Sequence, residues 1–203
     1  MKDNLQQLFG NIDIYLFDQL LKGTYDNCNT ILDAGCGGGR NLVHFLRSGY
    51  SVYGVDPNPE AIEAVKKLSQ NLAPANPLSN FIVAPAEALP FNDDSFDLVI
   101  SSAVLHFAHG DEHFESMLHS MWRVLKPGGY LFARLASDIG LESLVLPTGH
   151  GRYLLPDGSE RFLVNEKMLL NYTHGLNAHL MEPIKTTNVQ NMRCMTTWCL
   201  QKV

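Results

Sequence analysis

From residue 30 to residue 137, short apolar runs alternate with stretches of helical spacing, and this alternation restricts the fold more than any other feature. Thr30 to Ala34, Ser51 to Val55, Phe81 to Ala84, Phe96 to Ser101 and Tyr130 to Leu135 read as buried strands. Asn41 to Leu46 opens a helix after the first of them. DPNPEAIEAVKKL announces a second helix: Asn58 suits the cap, Pro59 the first helical position, and Glu60 and Glu63 the positive N-terminal end. Phe114, Met117, Leu118, Met121, Trp122 and Leu125 recur at helical intervals, and KPGG at 126–129 stops that helix. Five strands linked through helices predict a parallel sheet covered on both faces.

The end of the chain departs from the pattern. HLMEPIKTTNVQNMRCMTTWCLQKV offers two strands with only a short turn, at Gln190-Asn191, between them, and a short turn requires antiparallel pairing. The expected fold is therefore α/β, with a mainly parallel seven-stranded sheet that ends in an antiparallel hairpin. Its length suits one domain of 203 residues. Within it, residues 1–29 form an N-terminal cap helix marked by Ile12, Tyr15, Leu16, Gln19 and Leu20, and residues 30–137 form the core. Residues 138–163 are an insertion whose LLPDGSERFL carries a Pro-Asp-Gly turn and predicts a small lid hairpin. Residues 164–203 hold the last helix and the terminal strands.

Charge limits the partners. The formal net charge is −6 and the densest basic pair is Lys66-Lys67, which disfavours nucleic acid, a ligand held by clustered Lys and Arg. No apolar run reaches the about 18 residues that span a bilayer. The opening Met1-Lys2-Asp3-Asn4 lacks the charged-then-apolar layout of a signal peptide. Cys28, Cys36, Cys194 and Cys199 lack zinc-ligand spacing and read as reduced structural thiols; the last two should point to opposite faces of one strand. A cytoplasmic protein with no membrane partner is expected, as monomer or homodimer.

The loop after the first strand carries the chemistry. ILDAGCGGGR, residues 31–40, reads D-x-G-x-G-x-G from Asp33 through Gly35, Gly37 and Gly39. The dinucleotide fingerprint G-x-G-x-x-G would need glycine at 40, where Arg40 stands. Asp56 ends the second strand 23 residues after Asp33, where an acid accepts the ribose hydroxyls of a nucleoside lying across the sheet's C-terminal edge. The same acid also fits a nicotinamide dinucleotide, or a helix cap, although Asn58 sits better for capping.

Four motifs in order, ILDAGCGGGR, VYGVDPNPEAI, AEALPFNDDSFDLVISSAVLHF and RVLKPGGYLFARL, make the chain resemble a class I S-adenosylmethionine-dependent methyltransferase of the type 11 kind. That resemblance implies a Rossmann-like, doubly wound fold with S-adenosylmethionine as cofactor. It puts the backbone of Gly35, Cys36 and Gly37 against the methionine and ribose. Asp33 then reaches toward the methionine ammonium, and Asp56, followed by Pro57 and Asn58, takes the ribose. Ala86 and Glu87 fall where adenine is read, and Ser101 and Ser102 flank the methionine end. One position departs: the family's usual aspartate before Ala-Glu is Pro85 here, which has neither a side-chain acceptor nor an N–H.

Methyl transfer from a sulfonium needs alignment and, for a proton-bearing acceptor, a base. His106, just past the fourth strand, is the candidate base, with simple packing as the alternative. Tyr15, Phe17 and Arg152 are candidate substrate contacts. His109 and His113 stand four apart, but two ligands fall short of a metal site. A small-molecule methyltransferase is the leading reading. The alternatives are a nicotinamide-dependent oxidoreductase, which would lack both the third glycine and a second domain, and a non-catalytic module that binds S-adenosylmethionine.

Overall fold

A computed structural model describes residues 4–203; Met1, Lys2 and Asp3, which open the signal-peptide reading, lie outside the described residues. Two short helices come first, α1 (Leu5–Phe9) and α2 (Ile14–Leu21). The single expected cap helix is broken between them at Gly10, whose φ of +63° belongs to the left-handed region. Asp13 then restarts the helix, its carboxylate accepting the N–H of Tyr15 at 3.0 Å.

The core follows as β1 (Thr30–Ala34), α3 (Val43–Arg47), β2 (Ser51–Asp56), α4 (Pro59–Leu72), β3 (Phe81–Val83), β4 (Phe96–Ser102), α5 (Asp111–Val124) and β5 (Leu125–Ser137). Helix α3 begins two residues later than expected, because the chain still turns through Arg40 and Asn41. The Asn41 side chain accepts the N–H of Asp13 at 3.0 Å instead of entering a helix. Helix α4 matches its sequence signals: Asn58 caps it by accepting the N–H of Glu60 at 2.9 Å, directly before Pro59. Helix α5 buries Phe114, Met117, Leu118 and Met121 as the spacing predicts, but Trp122 is only partly buried and Leu125 belongs to the next strand. KPGG therefore does not precede β5; it lies inside it, beside a register shift on β4 between Phe96 and Leu98.

The last third contains β6 (Leu146–Gly149), β7 (Arg152–Leu154), β8 (Glu160–Phe162), α6 (Glu166–Gly175), β9 (Ala178–Leu180), β10 (Lys185–Val189) and β11 (Arg193–Lys202). The large sheet runs β3-β2-β1-β4-β5-β11-β10, parallel through β5 and antiparallel from β11 onward. The turn between β10 and β11 holds Gln190 and Asn191 at positive φ. Strand β9 was not foreseen: it pairs with the far end of β11 on the edge that β10 uses at the near end. In the insertion, β6, β7 and β8 form a separate antiparallel sheet, one strand more than the expected hairpin.

Side chains of alternating residues feed two cores, as a strand's period of two requires. Ile31, Leu98, Ile100 and Phe132 pack with α2, α3 and α4, while Leu32, Val99, Leu131 and Leu135 pack with α5 and α6. All four cysteines are free and buried; Cys194 and Cys199 join different clusters. No helix among the described residues is long and apolar enough to cross a membrane.

Candidate active site

The sheet order reverses between β1 and β4, so the loops that leave their C-terminal ends diverge and open a crevice. The glycine loop forms one wall. Gly35 and Cys36 donate their N–H groups to the carbonyl of Val55, at 2.8 and 2.9 Å. Gly35 has a φ of +88°, and a Cβ there would lie 2.3 Å from Cγ2 of Val104. Only glycine lets the two loops touch.

Asp56 is fixed from both sides. Its carboxylate accepts the N–H of Gly37 and the N–H of Asn58, each at 2.9 Å. Gly35, Asp56, Pro57, Ala86 and Glu87 line one cavity of about 440 Å³, and Pro85 lines it with them. Sequence reasoning missed its other wall, which is made of Val104, Phe107, His113 and Met117. Glu87 Oε2 lies 3.4 Å from Nε2 of His113, whose Nδ1 accepts the N–H of His109 at 3.1 Å. Among the described residues, no group of three His, Cys, Asp or Glu could hold a metal ion.

The remaining expected residues lie behind these walls. Asp33 is 1% exposed, and neither carboxylate oxygen has a hydrogen-bond partner among the described residues. Burial pushes it up to about 7, against the opposing pull of Arg40. The Cys36 thiol packs toward Gly54, where an added Cβ would come within 2.9 Å of Sγ. Cys36 is not among the residues that line the cavity. Gly37 and Asn58 serve by holding Asp56. Ser101 is fully buried and its hydroxyl has no partner among the described residues, while Ser102 is tied to Arg40 at 2.9 Å and to Asp13 at 3.2 Å.

His106, expected as a base, is buried, and its Nδ1 accepts the N–H of Ala136 at 3.2 Å. Burial, assisted by Arg161 and Arg193, pulls it down to about 4. The neutral ring then carries its proton on Nε2, so it presents a donor rather than a basic lone pair. It opens on a second cavity, of about 400 Å³, which meets the first at Ala103, a residue with a φ of +65°.

Of the candidate substrate contacts, Tyr15 bonds through its hydroxyl to Thr187 and lies under the Arg134 guanidinium, 4.9 Å from its ring centre. Phe17 packs edge-on against Phe9 at 4.7 Å. Arg152 donates to the carbonyl of Ala108 at 2.7 Å and pairs with Glu160, which fastens the insertion to the loop after β4. The arginines on the second cavity are Arg134, Arg161 and Arg193. In the sequence Arg134 is only a polar residue within an apolar strand; its partners, the Asp13 carboxylate at 2.8 Å and the Tyr15 ring, are brought to it by the fold.

Comparison with known proteins identifies the family. The family described as a methyltransferase domain matches residues 32–133. An uncharacterized methyltransferase of Synechocystis sp. is 37% identical over 99 residues, 49% of this chain and 43% of that protein. The uncharacterized methyltransferase YodH of Bacillus subtilis is 40% identical over 101 residues, 50% of this chain and 40% of its own length. The matches thus span less than half of either curated relative. A crystal structure of an S-adenosylmethionine-dependent methyltransferase from Methanosarcina mazei superposes with a TM-score of 0.68 at 26% identity, covering 86% of this chain and 92% of that one.

Proposed function

The chain belongs to the methyltransferase-domain family, and on that footing we propose that it transfers a methyl group, in line, from S-adenosylmethionine to a small molecule, leaving S-adenosylhomocysteine. One observation carries the reading: Gly35, Asp56, Pro57, Ala86 and Glu87, distant in sequence, line a single cavity at the switch point of the sheet. The buried, unpartnered carboxylate of Asp33 directly beneath that loop fits a cofactor that brings a positive charge.

When bound, the cofactor supplies a sulfonium methyl group that is already activated. The protein's part is to hold and align. Asp56 takes the ribose hydroxyls with a carboxylate that two N–H groups have oriented, and each oxygen keeps a further lone pair to accept with. Gly35 gives the backbone close approach. Glu87 and the backbone at Ala86 serve the adenine side, where Pro85 offers no side-chain acceptor. The acceptor enters the second cavity and meets the first at Ala103, while the 138–163 insertion, which contributes Leu155 and Arg161 to that cavity, acts as its lid and excludes water. His106 serves this cavity as a hydrogen-bond donor.

A cavity of about 400 Å³ and a net charge of −6 support a small acceptor over nucleic acid. Four buried free thiols support a reducing, cytoplasmic setting. Calorimetric titration with S-adenosylhomocysteine and with a nicotinamide dinucleotide tests the cofactor: only the former should bind. Labelled methyl transfer into a metabolite extract, read by mass spectrometry, then tests turnover. No binding of S-adenosylhomocysteine would overturn the proposal.

A further inference from the structure

The second cavity is lined by arginines from three separate elements: Arg134 on β5, Arg161 on β8 and Arg193 at the start of β11. Arg161 donates to the carbonyl of Glu160 at 2.7 Å and lies 5.0 Å over the Phe107 ring, contacts that position it without neutralising it. Arg193 approaches Asp157 only to 3.9 Å, and the Asp157 carboxylate also accepts the N–H and hydroxyl of Ser159. Arg134 is paired with Asp13 at 2.8 Å, yet its Nε is buried and has no partner among the described residues.

Three guanidinium groups thus face two carboxylates, a positive excess in a chain whose net charge is −6. Ala136, Leu155 and Met195 give the wall an apolar portion beside these groups. His106 adds an N–H donor and no charge. Guanidinium forks in such a setting match the planar oxygens of a carboxylate or the oxygens of a phosphate.

We propose that this cavity receives an anionic methyl acceptor, a small molecule whose apolar body lies against Leu155 and Met195 and whose carboxylate or phosphate is held by Arg134, Arg161 and Arg193. The inference deepens the methyltransferase reading and rests on it for the acceptor's role. The anion site itself can be tested separately.

The test uses the whole chain labelled with ¹⁵N-arginine, with and without saturating S-adenosylhomocysteine, titrated with benzoate, phenyl phosphate and the neutral benzamide. R161Q and R193Q assign the side-chain signals. Benzoate or phenyl phosphate should shift the Nε signals of the cavity arginines, and the stronger of the two identifies the anion. Benzamide should not shift them. Each variant should weaken anion binding about tenfold, the loss of one charged hydrogen bond, while S-adenosylhomocysteine affinity stays within twofold of wild type. Equal binding of benzamide, absence of any anion-induced shift, or anion binding unchanged in both variants would overturn the anion site. Failure of S-adenosylhomocysteine to bind would instead overturn the cofactor reading, and the anion titration of the free protein would still be read.

Discussion

Arg134 on β5 donates through Nη1 to Oδ2 of Asp13, 2.8 Å away and 121 residues earlier in the chain. The same carboxylate oxygen accepts the hydroxyl of Ser102 at 3.2 Å and lies 3.7 Å from Nη2 of Arg40. One buried acid thus joins the N-terminal segment to the ends of β4 and β5 and to the glycine loop.

Removing that acid should destabilise the fold measurably. Asp13 is 2% exposed, and Asp13→Asn leaves a mostly buried guanidinium without its counter-charge. The expected loss is about 2–4 kcal/mol, seen as a lower urea midpoint with unchanged slope. Arg40→Ala should cost less than about 1 kcal/mol, because its side chain is half exposed. Equal losses in the two variants would show that Arg134 is not the principal partner.

Asp56 should dominate cofactor affinity. Asp56→Ala removes charge-assisted hydrogen bonds worth on the order of 2–3 kcal/mol, about 30- to 150-fold in the dissociation constant of S-adenosylhomocysteine. It also deprives the N–H groups of Gly37 and Asn58 of their acceptor, so a small fall in melting temperature should accompany it. Unchanged affinity by calorimetry would sink the assignment.

Asp33 should make both stability and binding depend on pH. Burial raises it from an ordinary 3.8 to about 7, so between those values the folded protein keeps a proton that the unfolded chain releases. Stability of the free protein therefore falls as pH rises from about 4 to about 7, and stays lower above that. Asp33→Asn should abolish this loss. If ionised Asp33 meets the ammonium group, S-adenosylhomocysteine affinity should rise with pH through about 7 in wild type and stay flat in Asp33→Asn. A flat wild-type profile would remove Asp33 from the site.

His106 should behave as a positioning donor. Its protonation is held down to about 4, below an ordinary 6.5, so its contribution to stability is present above 6.5 and lost as pH falls toward 4. His106→Gln should lose less stability than wild type across that window. With an acceptor in hand, the variant should raise KM for it and keep kcat within a few-fold. A fall in kcat of about 10²- to 10⁴-fold at unchanged KM would restore the general-base role.

What the sequence determined by itself was local. The strands of the core, the cap at Asn58, the glycine loop and the place of Asp56 are written in residues a few positions apart, where backbone geometry and capping act directly. Strand β9 was too short, at three residues, to leave a periodic trace. Tertiary structure decided the rest. Arg40 reads as a missing glycine until Ser102 is beside it, and Arg134 as a polar interruption of an apolar strand until Asp13 meets it. Ala103 holds a left-handed φ that nothing in its own side chain favours. Arg134, Arg161 and Arg193 face one cavity only because β5, the insertion and β11 fold together. Such long-range contacts are set by how the elements pack, and no local spacing encodes them.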